Sequence, residues 1–256
     1  MLATALLAAL LQASPAPSPD QQLIDAARRA SATFKQRSAA IRAGYRRLGP
    51  EIPEMGEHWI NPIMIVEARF DPARPPMLTY ATINGQPTLT GVGYALALRP
   101  GESPPPTGVS GTWHDHTATV AAELATGDHA KRAGGARVVV LHAWVWLDNP
   151  AGVFADENWA LPYVRLGRQP PGQIDPLAAR AVALQFDGVS YYANVLRSMT
   201  GMDFRAELEQ AAHQVAGSDD QRAVWMDLVA RITMGVTDAA MKAKLRRALG
   251  VSMHDH

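Results

Sequence analysis

The stretch VVVLHAWVWLDNPAGVF, Val138 to Phe154, reads as a strongly apolar strand with a histidine at its centre and a stop on Asp-Asn-Pro. Side chains alternate along a strand, so His142 is expected to share a face with Val138, Val140, Trp144 and Trp146. Val139, Leu141, Ala143 and Val145 would form the other face. Both faces are apolar, which predicts a strand buried on both sides. A buried imidazole must satisfy its ring nitrogens or carry a desolvation cost of a few kcal/mol. His142 therefore needs a partner deep in the sheet.

Working outward, short apolar runs punctuated by Gly, Pro and Asn predict further strands at Trp59 to Val66, Met77 to Ile83, Thr88 to Leu98 and Arg137 to Leu147. Asn84-Gly85 tolerates positive φ at both residues and predicts a hairpin between the second and third. The Pro- and Gly-rich run Arg99 to Gly111 reads as a loop. Before the sheet, Leu23, Ala27, Ala30, Phe34, Ile41, Tyr45 and Leu48 follow helical spacing, predicting one amphipathic helix over 21–48 that ends at Gly49-Pro50.

After the Pro-rich joint GRQPPGQIDP, Asp175-Pro176 predicts a capped helix with Leu177, Ala181, Leu184, Gly188, Tyr191 and Val195 on one face. Asp203 is expected to cap a second helix carrying Phe204, Leu208, Ala211 and Val215. Ser218 with Gln221 is expected to form the capping box of a third, with Val224, Leu228, Ile232 and Val236 inward. The reading is an α+β protein: an N-terminal helix and antiparallel sheet over 21–170, and a C-terminal helical region over 171–256.

Composition narrows the function. Hydrophobic residues make up 47% and charged residues 19% of the 256, as in a folded globular chain. The 24 Lys and Arg balance the 24 Asp and Glu, so no overall field recruits nucleic acid or an anionic membrane surface. With no cysteine, disulfides, thiolate zinc sites and iron-sulfur clusters are excluded, and a metal must rest on His, Asp, Glu or Met. The apolar run Leu2 to Leu11, followed by small residues and prolines, has the length of a signal-peptide core and is too short for a membrane span. It predicts export, with residues 1–20 as leader and a periplasmic or secreted location, although no Lys or Arg precedes it.

Four histidines lie in the sheet region: His58 in MGEHW, His114 and His116 in TWHDHT, and His142. If WHDH is extended, His114 and His116 point the same way, the geometry of a two-histidine chelate; a helix would splay them apart. Three or four histidines without thiolate suit Zn(II) or Cu(II). Asp115, Asp148 and Glu57 are the nearby carboxylates expected to orient ring N–H groups. Trp59, Trp113, Trp144 and Trp146 are expected to form core and pocket wall. His129 and His213 read as solvated, and His254 with His256 as a frayed tail. Dinucleotide, Walker, HExxH and GxSxG motifs are absent; GVGYAL lacks the third glycine and sits in a hairpin.

The segments YRRLGPEIPEMGEHWINP, FDPARPPMLTYATINGQPTLTGVGYAL and LHAWVWLDNPAGVFADENW together resemble an uncharacterised bacterial protein family whose members share MGxHyxNP, dP-x-rPxxLxYe, LxGvxY and LHxWxWxxNPxGxFa elements. The resemblance spans roughly Arg42 to Val164. It implies a shared domain and no particular reaction, and it places His58 and His142 on the family's two histidine positions. Where other members commonly carry Glu after the Tyr, this chain has Ala81.

Three functions follow as expectations. The first is binding of a transition metal, or of a small ligand through one, in a pocket lined by His58, His142 and tryptophan, with His114 or His116 completing the set. The second is a non-catalytic structural or interaction module with core histidines. The third is a metal-dependent hydrolase or lyase with Glu57 or Asp115 as general base on a metal-bound water.

Overall fold

Asn61 and Pro62 divide what the apolar pattern alone would join. The structure is a computed structural model that describes residues 16–116 and 137–251. The run expected as one strand over Trp59 to Val66 is strand β2 (Gly56–Ile60) followed by a short helix α3 (Pro62–Val66). Asn61 Oδ1 accepts from the backbone N–H of Met64, and Pro62 occupies the first helical position. The cap and the proline outweigh the β-branched content of IMIV.

The N-terminal helix is likewise shorter than its periodicity predicts. Helix α1 (Pro19–Ser31) is followed by a 3₁₀ turn (Ala32–Lys35) and by α2 (Arg37–Arg42). Gly44, at φ 93°, then turns the chain. Tyr45 is buried there, its hydroxyl donating to the Pro75 carbonyl at 2.6 Å. Leu48, Gly49 and Pro50, expected as the end of the helix, instead lie in strand β1 (Arg46–Ile52), whose pairing with β2 slips between Leu48 and Ile52.

The remaining strands are β3 (Met77–Ile83), β4 (Gln86–Leu98), β5 (His114–Asp115) and β6 (Arg137–Ala143). Asn84 and Gly85 join β3 to β4 with φ of 51° and 74°, the paired positive angles of a tight hairpin. Among the described residues the six strands form one curled antiparallel sheet in the order β1-β2-β3-β4-β6-β5. One face carries Trp59, Leu78, Val92, Tyr94, Leu141 and Ala143, which pack with Leu23 and Ala27 of α1. The other carries Met77, Ala95 and Val140, with Ile60 and Ile65 against them. Residues 139–145 are buried throughout, as the apolar pattern on both faces predicts. Regular pairing of β6 nevertheless ends at Ala143, short of the expected Leu147; the N–H groups of Trp146 and Leu147 both reach the Thr90 carbonyl.

Helices α4 (Leu161–Arg165), α5 (Pro176–Ala183), α6 (Gly188–Thr200), α7 (Arg205–Ala216), α8 (Gln221–Met234) and α9 (Ala239–Ala248) complete the described fold. Asp175 caps α5 as expected, accepting from the N–H of Leu177 at 2.8 Å. The single helix expected through Val195 is broken at 184–187. A Cβ on Gly188 would lie 2.5 Å from the Ala183 carbonyl, so the tight bend requires glycine. The break resets the helical phase, and Tyr192 and Leu196, rather than Tyr191 and Val195, face the core. Asp203 Oδ1 accepts from the N–H of Arg205. The cap of α8 is Asp220 rather than Ser218, and Ser218 accepts from Asp220 instead. Trp225, Leu228, Val229 and Ile232 form its buried face.

The helical core takes in Tyr163 of α4, with Trp159 packed against it. It meets the sheet through buried polar contacts: Arg165 pairs with Glu51 at 2.5 Å, and the Tyr192 hydroxyl donates to Glu54. No helix among the described residues is long and apolar enough to cross a membrane. The expected leader lies almost wholly outside the described residues, as do His129, His254 and His256.

Candidate metal centre

Strand pairing decides which side chains share a surface. His114 pairs with Val140 across β5 and β6, and the N–H of His116 bonds the Val138 carbonyl at 2.8 Å. Paired residues point to the same side of a sheet, so His114 and His116 share the face of Val138, Val140 and His142. The segment WHDH is thus extended at its histidines, as the chelate reading requires. His58 pairs with Thr79, Thr79 with Gly91, and Gly93 with His142, which puts His58 on the same face.

The shared pocket of His58 and His142 suggests adjacent strands, but β3 and β4 separate the two. Three strand spacings of about 4.8 Å would hold their backbones roughly 14 Å apart in a flat sheet. Their ring centroids are 5.9 Å apart, edge to face. The intervening rows supply Thr79, Gly91 and Gly93, so little side chain stands between them, and the curl of the sheet closes the rest. A Cβ on Gly91 would lie 2.7 Å from the Ala143 carbonyl, and one on Gly93 would lie 2.1 Å from Cε of Met77. Neither position leaves room for a side chain without movement.

The ring nitrogens of His114, His116 and His142 offer one ligand atom each, all within 4.8 Å of one another, and the cluster could hold a metal ion. His114 and His142 stack at 5.1 Å with their planes 9° apart, and His116 lies 4.7 Å from His114 and 6.0 Å from His142 between centroids. His142 is 2% exposed, and among the described residues its Nε2 and the Nε2 of His114 have no hydrogen-bond partner, while His114 Nδ1 has only a close charge contact with Asp156. Buried nitrogens without partners are what a metal would satisfy.

Burial pushes the His58 imidazole down to about 4, with the neighbouring His116 adding to the effect. Burial also holds His142 well below the usual histidine range, aided by His58, His114 and His116, and it lowers His116. These imidazoles are neutral near pH 7, so their lone pairs are available to a cation without first losing a proton.

Among the described residues one carboxylate touches the cluster, and it is none of those expected. Asp156 Oδ1 lies 2.8 Å from His114 Nδ1. With that nitrogen carrying the proton, Nε2 is left as the free donor atom, the usual tautomer of a carboxylate-oriented metal ligand. The loop that delivers Asp156 begins at the Asp-Asn-Pro stop. Asn149 Nδ2 donates to the Glu157 carbonyl and Asn158 Nδ2 to the Asp148 carbonyl, so the two amides cross-tie the loop on either side of Asp156. The Asp148 carbonyl is thereby engaged in shaping the loop.

Glu57 points to the opposite face from His58, held by Arg37 at 2.8 Å, Arg47 at 3.1 Å and the Trp59 indole N–H at 2.9 Å. Asp115 alternates away from His114 and His116 and pairs with Arg137 at 2.7 Å. Strand alternation therefore removes both from the role of general base on a metal-bound water.

The tryptophans make contacts elsewhere. Trp144 keeps the face of His142, packing with Ala81 and Leu161 and donating to the Ala155 carbonyl, and Val145 keeps the face of Leu141 and Ala143; alternation fails only at Trp146. Trp146 bonds Ser31 beneath Lys35, Trp59 faces Tyr80, and Trp113 faces Phe70. His213 is exposed on α7. Comparison with known proteins adds no relative: no protein-family model, no curated protein and no solved structure matches this chain.

Proposed function

We propose that this protein binds a transition metal ion, Zn(II) or Cu(II), through His114, His116 and His142. The observation that carries the reading is the mutual approach of these three ring nitrogens on one sheet face, with Asp156 behind His114. Ligand bonds of about 2 Å bring tetrahedral nitrogens to roughly 3 to 4 Å from one another, a small contraction of the present cluster. Neutral nitrogen donors without thiolate favour these two ions over Mg(II) or Ca(II). His58 completes the wall of the same space. Export to the periplasm or beyond the cell belongs to this reading and rests on the Leu2 to Leu11 run.

The test is elemental analysis of protein purified without a His tag and reloaded after chelation. Wild type should retain about one equivalent of metal, while His142→Ala and His114→Ala should retain little. Equal retention by all three forms would hand the site to the alternative, a non-catalytic module whose histidines only pack.

A further inference from the structure

Among the described residues, the charge around the cluster is incomplete for a bound divalent ion. Three neutral imidazoles leave the ion's two positive charges intact, and the surface beside His142 is the apolar set of Met77, Ala95 and Val140. Asp156 offsets one charge through His114. Glu57 lies on the opposite face between Arg37 and Arg47, and Asp115 is held by Arg137. An uncompensated charge next to a side chain as buried as His142 is costly, and the three ligands found among the described residues leave a tetrahedral ion one position short.

Both deficits have one remedy. We propose that the metal-loaded centre takes a small monoanion as its fourth ligand, and that the imidazole N–H of His58 donates a hydrogen bond to it. The proposal rests on the metal-binding reading above. His58 is suited to this role by position: its ring stands edge-on to His142 at 5.9 Å and interacts electrostatically with both His142 and His116. It lies beside the group of three nitrogens rather than within it. On the β5 side, the Asp156 carboxylate is 44% exposed and the His114 side chain 21%.

The experiment is azide titration of Co(II)-loaded protein followed by visible absorption. Co(II) should give the intense d–d bands of a tetrahedral site, and azide should shift them with saturation. His58→Phe should keep Co(II) but weaken azide at least about tenfold, the loss expected for a hydrogen bond to a charged acceptor. His58→Gln retains an N–H donor and should recover part of that affinity, which a merely space-filling role would not produce.

Failure of Co(II) to bind wild type would defeat the metal reading itself. Co(II) bands that azide does not move would overturn the anion proposal while leaving the metal site standing. Loss of Co(II) on His58→Phe, in protein whose circular dichroism is unchanged, would make His58 the fourth ligand and likewise overturn it.

Discussion

Asp156 and His114 meet at 2.8 Å although they come from an edge strand and from a distant loop. The contact favours the proton on His114 Nδ1, which leaves Nε2 as the atom with a free lone pair. Asp156→Asn keeps the size and removes the charge. It should weaken Zn(II) binding about 10- to 100-fold, measured by competition with a chromophoric chelator. Asp156 is partly exposed and ties no backbone, so melting of the metal-free protein should change little. Unchanged zinc affinity would remove Asp156 from the site.

His58, half-buried, and His142, fully buried, also predict how the metal-free protein responds to acid. The folded His58 imidazole titrates near 4, against 6.5 for an unperturbed histidine. Between those values the unfolded chain binds a proton that the folded chain refuses, so this contribution is full above pH 6.5 and lost as the pH falls toward 4. For one such group the loss is about 2 kcal/mol by about pH 5, and His142 acts in the same direction. His58→Asn should flatten the fall in melting temperature across this interval. An identical pH profile in the variant would show that His58 is not held neutral by the fold.

The face shared by the histidines was legible from alternation wherever the strands are regular: His142 with Val140, and His114 with His116. It holds through Trp144 and Val145 and fails at Trp146, which packs on the opposite face where the N–H groups of Trp146 and Leu147 turn to the Thr90 carbonyl. The approach of His58 to His142 depends on the curl of the sheet and on Gly91 and Gly93, which are rows away in sequence and invisible to local periodicity. Asp156 escaped notice because its loop is shaped by side-chain amides at Asn149 and Asn158, long-range bonds that leave no spacing signal. The Asn61-Pro62 helix start was in plain view, yet the apolar run around it carried the reading.

The two glycines between the histidines give a comparison. At Gly91 an added Cβ would meet the Ala143 carbonyl at 2.7 Å, a backbone atom that cannot yield without opening the β4-β6 pairing. At Gly93 the closest atom is Cε of Met77, the free end of a flexible side chain. Gly91→Ala should therefore cost about 1–3 kcal/mol of stability in denaturant unfolding, and Gly93→Ala less. The reverse order would mean that the two strands are not packed as described.

Buried polar contacts hold the helical region to the sheet. Tyr192 of α6 donates its hydroxyl proton to Glu54, which is 3% exposed and follows β1 directly. Burial pushes the Glu54 carboxyl up, while the Arg180 guanidinium and the Tyr192 hydroxyl pull it back down. Tyr192→Phe keeps the ring and its packing on Trp225 but leaves a buried acceptor without its donor. The cost should be about 1–3 kcal/mol, or a melting temperature lower by about 2–10 °C. Glu54→Gln in the same background should recover part of the loss, because an amide is cheaper to bury than a carboxylate. The Glu54 backbone carbonyl also accepts from Asn158 at 2.9 Å, two residues beyond Asp156. Limited proteolysis of Tyr192→Phe should accordingly cut faster both at the 168–175 joint and within the 148–160 loop. Faster cutting at the joint alone would show that the tie between helices and loop does not reach the histidine cluster.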